Sequence, residues 1–237
     1  MQKKTWAIIG GGNGGQAFAG HLAILGQNVR IYDKIQDTVD ALNAKGGIRL
    51  KHAVDGFGKI EFASTDMGKV MDGANNILLV LPSLYHESIS RECIPHLSDG
   101  QVILINPEAS CGALAFRKLM RDLDCNANVT VGATCTLLYS CRATEPGTVY
   151  IYGIKNEVPY AAMPSSDNQK LDDAFNMTLP WFKLVPNVAY TSLLNINAMM
   201  HPAPMILNTS RIEADPPQDY QYYLDGITPS IGAYVER

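Results

Sequence analysis

The sequence has few of the features that mark membrane, secreted or nucleic-acid-binding proteins. No apolar run in its 237 residues reaches about 18 residues, so no transmembrane helix is predicted. The basic residues at the N-terminus precede an apolar stretch that is too short for a signal peptide, and no cleavage site follows. The net charge of −4 argues against nucleic-acid binding. We therefore expect a cytoplasmic protein with no membrane and no nucleic-acid partner.

Cysteine is also scarce. The five cysteines are an odd number, and no two of them form a Cys-x-x-Cys pair. This pattern argues against a disulfide framework and against a zinc site, so no metal is predicted and reduced thiols are expected. Hydrophobic residues make up 46% of the chain and charged residues 18%, which is ordinary for a globular protein with a buried core.

The segment from Thr5 to Asp33 is the most informative part of the chain. It predicts a short apolar strand, a glycine-rich turn, an amphipathic helix and a second strand that ends in an acid. Gly10, Gly12 and Gly15 fit the pattern G-x-G-x-x-G. In a dinucleotide-binding fold the first glycine permits a tight turn, the second lets the backbone approach a pyrophosphate, and the third lets the helix pack closely on the strand. We therefore predict dinucleotide binding at the N-terminus of this helix.

Asp33 indicates which dinucleotide is preferred. It lies about 20 residues beyond the glycine-rich turn, where an acid accepts hydrogen bonds from the adenosine ribose. Its carboxylate would repel a 2′-phosphate, so NAD is favoured over NADP. Lys34 follows immediately and would partly offset that repulsion, which leaves NADP possible. The alternative is a glycine-rich turn in another parallel α/β domain, which would not explain the acid.

Two further loops follow predicted buried strands, at the position where ligands of open α/β sheets bind. Ordinary turn chemistry also explains both loops, because Pro and Asn end strands for their own reasons. The residues predicted to contact the cofactor come from the glycine-rich turn, the acid and these two loops: Gly10, Gly12, Asn13, Gly14, Gly15, Asp33, Leu81, Pro82, Ser83, Asn106 and Pro107.

Strand and helix patterns alternate through most of the chain. They predict an α/β fold with a Rossmann-type, mostly parallel sheet and helices on both faces. The continuous apolar runs Asn76–Leu81 and Val102–Ile105 predict buried parallel strands. The turn Glu145-Pro146-Gly147 inside Tyr139–Ile154 predicts a hairpin added to this sheet.

The chain is predicted to contain two domains. Residues 1–190 form the dinucleotide-binding domain, and residues 191–237 begin an all-helical substrate-binding domain. Ile231, Tyr234 and Val235 have the spacing of one apolar helix face, and no glycine or proline stop signal follows them. The ending resembles a cut inside an element, so we expect a truncated chain.

His201 is the strongest catalytic candidate among the residues themselves. Asn197 lies four residues earlier, on the same helical face. Pro202 disfavours helical geometry at His201, so the pair is expected at a helix break close to the domain boundary. Histidine is the side chain best suited to proton transfer near neutral pH. The alternative is a histidine whose hydrogen bonds are satisfied inside a core.

Other positions are candidates for substrate contact. Arg142 has the forked geometry that binds a carboxylate, and a surface arginine on a hairpin is an equal alternative. The stretch Thr134–Thr136 is expected to line the same cleft, and Cys135 within it would be reactive only with a depressed pKa. The remaining histidines are expected to be surface or packing residues: His21, His52, His86 and His96.

Several segments together resemble the octopine/nopaline (opine) dehydrogenases, especially the bacterial N-(1-carboxyethyl)-amino-acid dehydrogenases. The segments are GGGNGGQAFAGHLA, INPEASCGALAFRK, TLLYSCR with PGTVYI, TSLLNINAMMHPAPMILN and YQYYLDGITPSIG. The Asn-x-x-x-His-Pro and Tyr-Tyr-x-x-Gly-Ile-Thr-Pro-Ser patterns within them are specific. The resemblance covers essentially the whole chain.

The resemblance implies an oxidoreductase that joins an α-keto acid to the amino group of an amino acid and reduces the imine with NAD(P)H. It implies that His201 polarises the keto oxygen and exchanges protons, and that Asn197 and Thr134 contact substrate. The family has Glu-Thr where this chain has Ala133-Thr134, which leaves the amino donor open. The family's partner acid for the histidine and its keto-acid-binding arginine would lie beyond Arg237. We therefore expect this chain to bind NAD(H) but to be weakly active or inactive alone.

Two alternatives stay open at this point. Two-domain reductases such as ketopantoate reductase and glycerol-3-phosphate dehydrogenase use a lysine in the interdomain helix, and no lysine occurs here between Lys183 and Arg237. A nucleotide-binding module without catalysis is the other alternative. A homodimer is a further expectation, because the apolar face left by a shortened helical domain favours self-association.

Overall fold

The computed structural model describes residues 3–215 and 220–236. Its contacts divide the chain into two compact units, Met1–Leu193 and Leu194–Arg237, which are called unit 1 and unit 2 below. In the described ranges, no helix combines the length and the apolar character needed to cross a bilayer. The division between the units falls after Leu193. The predicted domain limit between residues 190 and 191 stays a prediction.

Unit 1 contains two sheets. Its strands, within the described residues, are β1 (Thr5–Ile9), β2 (Asn28–Tyr32), β3 (Gly47–His52), β4 (Gly56–Lys59), β5 (Phe62–Ser64), β6 (Asn76–Leu79), β7 (Val102–Ile105), β8 (Thr130–Thr134), β9 (Tyr139–Glu145), β10 (Thr148–Ile154), β11 (Val158–Met163) and β12 (Phe182–Leu184). The larger sheet has eight strands in the order β12-β11-β8-β7-β6-β1-β2-β5, and the smaller has four in the order β4-β3-β10-β9.

The larger sheet confirms the predicted Rossmann-type architecture. All neighbouring strands from β5 to β8 are parallel, and β1 lies between β2 and β6. The central strands are buried on both faces, as their unbroken apolar runs require. The chain order reverses beside β1, since β2 extends the sheet on one side and β6 on the other. Ligands of doubly wound sheets bind at such a switch point.

The helices, within the described residues, are α1 (Asn13–Ile24), α2 (Gln36–Lys45), α3 (Met67–Met71), α4 (His86–Cys93), α5 (Gly112–Asp122), α6 (Asn168–Phe175), α7 (Val188–Leu193), α8 (Asn197–Met200), α9 (Pro202–Leu207), α10 (Thr209–Ile212), α11 (Tyr222–Asp225) and α12 (Pro229–Val235). Two hydrophobic clusters in unit 1 cover the two faces of the larger sheet. One contains Phe18 of α1, and the other contains Phe116 of α5.

The predicted hairpin forms, but its assignment to the main sheet is wrong. β9 and β10 pair with each other, and β10 pairs in parallel with β3 in the smaller sheet. Val149 and Ile151 of β10 are fully buried in the cluster that also contains α1. This apolar face covers α1, so the hairpin packs over the helix instead of extending the main sheet.

One strand boundary, one strand and one helix face also differ from the sequence prediction. The strand expected over Asn76–Leu81 ends at Leu79, and a 3₁₀ turn occupies Ser83–Tyr85. β11 was not predicted; it lies antiparallel to β8 and contains Pro159, which weakens a strand signal. In α12 Ile231 is buried, whereas Tyr234 is 64% exposed, so the predicted apolar face is only partly covered within the described chain.

Candidate active site

The ends of five parallel strands line up at one edge of the main sheet. Tyr32, Ile9, Leu79, Ile105 and Ala133 are partners in successive strand pairings, so they form one row across the sheet. The residues that follow them in the chain are Asp33, Gly10, Val80, Asn106 and Thr134. The predicted ligand-contacting segments of unit 1 therefore converge on the edge where dinucleotides bind.

The three fingerprint glycines meet different steric conditions. Gly10 has a φ of +111°, and a Cβ on it would lie 2.5 Å from the carbonyl oxygen of Val80. A Cβ on Gly15 would lie 1.7 Å from the carbonyl oxygen of Gly10, so only glycine permits this close approach of helix and turn. At Gly12 a Cβ would meet nothing within 4 Å, so the backbone borders open space there.

The N-terminus of α1 is available to an anion. Gly12 caps the helix without a side-chain hydrogen bond, so the first N–H groups receive no help from a capping side chain. The Asn13 carboxamide oxygen accepts a hydrogen bond from the Ala143 N–H at 2.9 Å, which commits this side chain to the β9–β10 hairpin. A contribution of Asn13 to a phosphate site would therefore come from its backbone.

Asp33 is fixed beside the glycine-rich turn. Its Oδ2 accepts a hydrogen bond from the Gly11 N–H at 2.7 Å, and its Oδ1 accepts one from the Ile35 N–H at 2.9 Å. A carboxylate offers about four acceptor positions, so further positions remain for ribose hydroxyls. The open space at Gly12, the uncapped helix and this oriented carboxylate together fit a dinucleotide.

Gln16 was missed by the sequence prediction. Its side chain is buried; Nε2 donates to the Gly11 carbonyl at 2.6 Å, and Oε1 accepts from the Gly147 N–H at 2.7 Å. It therefore links the glycine-rich turn to the hairpin. A polar side chain among the apolar residues of a helix is the one signal that the sequence offered.

A cavity of about 300 Å³ beside Gln16 is lined by Gly11, Gly12, Asn13, Gln16, Thr38, Ala143, Thr144, Glu145 and Pro146.

The two predicted loops differ in accessibility. Pro82 and Ser83 are exposed after β6, whereas Asn106 is fully buried after β7. The Asn106 Nδ2 donates to the Thr134 Oγ1 at 2.8 Å, and the Thr134 hydroxyl donates to the Thr136 carbonyl at 3.0 Å. The Asn106 and Thr134 side chains thus hold β7 and β8 together within unit 1.

Glu108 belongs to the second predicted loop, but the sequence did not reveal its buried hydrogen-bond partners. It is 1% exposed; its Oε1 accepts from the hydroxyls of Thr191 at 2.5 Å and Ser192 at 3.0 Å. The three residues after it that lead into α5 have left-handed φ values: Ala109 (55°), Ser110 (69°) and Cys111 (58°). Such strained backbone persists where the surrounding structure holds it, often at functional sites.

A cavity of about 460 Å³ opens beside this loop. Its walls include Leu79 and Ile105 at the ends of β6 and β7, together with Ser83, His86 and Glu108. The His86 Nε2 lies 3.0 Å from the Leu81 carbonyl oxygen, and burial lowers the pKa of this imidazole. His86 is thus partly a packing residue, as predicted, although it borders the cavity.

The structure also shows the surroundings of two further substrate-contact candidates, Arg142 and Cys135. Arg142 is exposed on β9, in register with Tyr150 in the smaller sheet, while Thr134 lies in the main sheet. The two residues that were expected to share a cleft therefore lie in different sheets. Burial raises the pKa of the Cys135 thiol, so this cysteine is not an activated thiolate.

Unit 2 contains the predicted catalytic histidine. His201 lies between the end of α8 at Met200 and the start of α9 at Pro202, so the predicted helix break falls at this residue, although its φ of −94° and ψ of −43° stay in the helical region in spite of Pro202. Its N–H donates to the Asn197 carbonyl at 3.1 Å, and its carbonyl accepts from the Met205 N–H at 3.1 Å. These bonds on both sides hold His201 in the helical region.

Tyr222 is the side-chain partner of His201 and was also missed by the sequence prediction. The Tyr222 hydroxyl lies 3.0 Å from the His201 carbonyl oxygen and 3.3 Å from the His201 Nδ1. The same hydroxyl lies 3.3 Å from the Met200 carbonyl oxygen, so Tyr222 contacts both the backbone around His201 and its imidazole. The contact with Tyr222 thus orients the ring through Nδ1.

The fold and the glycine-rich turn define unit 1 as an NAD(P)-binding Rossmann domain of the dehydrogenase class. Residues 5–107 match the family model of the NAD-dependent glycerol-3-phosphate dehydrogenase N-terminus. Residues 184–237 match the model of the NAD/NADP octopine/nopaline dehydrogenase alpha-helical domain.

Comparison with known proteins covers the whole chain. The chain is 37% identical over 238 residues to an opine dehydrogenase of Arthrobacter sp. (strain 1C). The alignment covers 100% of this chain and 66% of the relative. A glycerol-3-phosphate dehydrogenase of Treponema pallidum (strain Nichols) is 37% identical over 86 residues, 33% of this chain and 22% of the relative. The chain belongs to the octopine/nopaline (opine) dehydrogenase family, and it spans about two thirds of the length of the curated opine dehydrogenase.

Solved structures share the fold. An octopine dehydrogenase in complex with NADH and agmatine superimposes with a TM-score of 0.76 at 19% identity, over 98% of this chain and 60% of that chain. An NADP⁺-bound yersinopine dehydrogenase gives 0.78 at 11% identity, over 99% and 61%. A ketopantoate reductase from Ralstonia eutropha JMP134 gives 0.70 at 20% identity, over 98% and 70%.

Proposed function

We propose that this protein is an opine-type oxidoreductase that catalyses the NAD(P)H-dependent reductive condensation of an α-keto acid with the amino group of an amino acid. The observation that carries this proposal is the 37% identity to an opine dehydrogenase over the whole chain. The glycerol-3-phosphate dehydrogenase relatives match only the dinucleotide-binding part, so they support a shared domain and not a shared reaction.

The cofactor proposed for unit 1 is NAD(H). The glycine-rich turn from Gly10 to Gly15 and the uncapped start of α1 would hold the pyrophosphate. Asp33 would accept hydrogen bonds from the adenosine ribose, and its charge disfavours a 2′-phosphate. When bound, the reduced nicotinamide supplies a hydride.

His201 is proposed as the proton-transfer residue. Condensation forms a C–N bond and releases the keto oxygen as water, so a proton must reach that oxygen. The imidazole is suited to deliver and recover protons near neutral pH. The contact between Nδ1 and the Tyr222 hydroxyl orients the ring and leaves Nε2 for the reacting group. Asn197, one helical turn earlier, is proposed as a substrate contact.

The substrates are proposed as a small α-keto acid and an amino acid. Octopine dehydrogenase structures include complexes with NADH and pyruvate and with NADH and L-arginine. In this chain Ala133 is fully buried and carries no polar group, so it offers nothing to an amino substrate.

We further propose that the protein is a homodimer, that it is located in the cytoplasm and that it has no nucleic-acid partner. Light scattering would test the homodimer, and cell fractionation would test the location.

The decisive experiment follows NADH absorbance with pyruvate alone and then with pyruvate and each of a panel of amino acids. Oxidation that needs both substrates and is lost in His201→Ala supports the proposal. Oxidation with a keto acid alone would identify a simple keto-acid reductase and contradict the opine reaction. Tight NADH binding without oxidation under any of these conditions would fit either a binding module or a chain that is inactive alone, and the same assay on a longer family member would separate these two.

A further inference from the structure

A second acid, Glu92, lies at the strand end that carries Asp33. Glu92 of α4 has its Oε2 3.0 Å from the Lys34 Nζ, and its Oε1 accepts a hydrogen bond from the Tyr32 hydroxyl. Tyr32, Asp33 and Lys34 are consecutive residues at the end of β2. The charge of the lysine next to Asp33 is therefore engaged by a carboxylate from another element.

This arrangement changes the electrostatics that the sequence suggested. A free Lys34 would offset the charge of Asp33 and attract a 2′-phosphate, because a basic side chain near this position accommodates NADP. With Glu92 present, the three charged groups at this strand end sum to −1 instead of 0. The Glu92 side chain is 35% exposed and that of Lys34 is 56% exposed, so the pair lies at the surface, where a nucleotide phosphate competes for the ammonium group.

Tyr32 fixes the position of Glu92. The Tyr32 ring is buried, 2% exposed, in the cluster that contains the other core residues of this face. Its hydroxyl therefore presents a fixed donor to Oε1, which leaves Oε2 directed at Lys34. Burial and the bond to Glu92 both raise the pKa of Tyr32, so its hydroxyl stays protonated and keeps donating.

We propose that Glu92 is a specificity-determining residue that maintains the preference for NADH over NADPH by holding and neutralising Lys34. The inference rests on the proposed function only in that unit 1 binds a nicotinamide dinucleotide. Glu92 acts through Lys34 and has no role in hydride or proton transfer.

The test measures the dissociation constants of NADH and NADPH by calorimetry for the full chain and for Glu92→Gln. Glutamine keeps an acceptor for Tyr32 but releases Lys34, so we expect NADPH to bind about fivefold more tightly relative to NADH. The gain should shrink at high salt, because exposed charges are screened. Glu87→Gln is the matched control, since Glu87 lies on the same helix but pairs with Arg91.

The double variant Glu92→Gln/Lys34→Gln separates the possible causes. If Lys34 carries the effect, the double variant returns to the wild-type ratio of affinities. A gain that persists in the double variant, or no gain in Glu92→Gln despite tight NADH binding and an unchanged melting temperature, overturns the inference alone. Failure of the wild-type chain to bind either dinucleotide would instead overturn the proposed function, and the inference with it.

Discussion

The glycine-rich turn of unit 1 and the His201 site of unit 2 differ in how much buried structure surrounds them. The glycine-rich turn of unit 1 is held by Asp33 and Gln16 on a sheet whose central residues are fully buried. His201 of unit 2 lies between helices of four and six residues. Among the described residues near it, Ile206 is 70% exposed and Leu224 is 75% exposed. The comparison indicates that dinucleotide binding has its own scaffold, whereas the geometry at His201 depends on few internal contacts.

The strongest way to break the unit 1 site is Gly15→Ala. The new Cβ would lie 1.7 Å from the Gly10 carbonyl oxygen, so helix and turn must separate. We expect destabilisation of about 3 kcal/mol and loss of measurable NADH binding. Calorimetric melting and NADH titration check both results. Gly153→Ala is the matched control, because a Cβ there meets nothing within 4 Å, and an equal effect of that variant would contradict the argument.

His201→Ala should separate the two sites. Wherever wild-type turnover is measurable, we expect it to fall by about 10²–10⁴-fold, the usual contribution of a positioned acid–base residue. NADH affinity should stay within about twofold, because the proposed dinucleotide site consists of unit 1 residues. Steady-state kinetics with a longer family member as the positive control, together with NADH titration, make the comparison. A parallel loss of NADH affinity would show that the sites are not independent.

Gln16→Leu tests whether the hairpin supports the glycine-rich turn. The substitution leaves the buried Gly11 carbonyl and the buried Gly147 N–H without their partner. We expect a loss of about 1–3 kcal/mol in stability and a clear weakening of NADH binding. Gln36→Leu is the control, because Gln36 is exposed and bonds only to its helix neighbour Asp40. Unchanged NADH affinity in Gln16→Leu would remove Gln16 from the site.

The smallest effect concerns His21, which packs α1 against the hairpin. Its Nδ1 lies 2.9 Å from the Tyr139 hydroxyl, and burial lowers the pKa of the imidazole. The unfolded chain therefore binds the proton more readily, so stability is present above the ordinary histidine pKa and is lost as the pH falls below it. Between pH 7.5 and 5.5, the melting temperature of the wild-type chain should fall by about 2–4 °C more than that of His21→Gln. His52→Gln, an exposed histidine, should leave the profile unchanged.

Local patterns made part of this structure predictable. The strand–turn–helix–strand unit of β1, α1 and β2 follows from residues that are close in sequence, and the glycine spacing fixes its geometry. The hairpin was also predictable as a local element. Its sheet was not, because β10 pairs with β3 about a hundred residues earlier, a contact that no local pattern encodes.

In the candidate site, too, local motifs were predictable from the sequence, whereas contacts between residues distant in the sequence were not. His201 was predictable from a specific motif, but its partner Tyr222 is 21 residues away. Gln16 reaches Gly147 over 131 residues, and Glu108 reaches Thr191 over 83. Each of these buried polar residues is explained only by a partner that the fold brings to it. The sequence could show that a polar residue stood among apolar ones, but not which group it satisfies.

The link between hairpin and glycine-rich turn has a consequence for how such a protein can vary. Asn13 and Gln16, both in the first turn of α1, bond to backbone groups of β9 and of the turn before β10. Lengthening or reshaping that distant turn would shift the anion-binding N–H groups without altering any glycine. Affinity for the dinucleotide can thus change through substitutions in the turn between β9 and β10, while the glycine fingerprint itself stays unchanged.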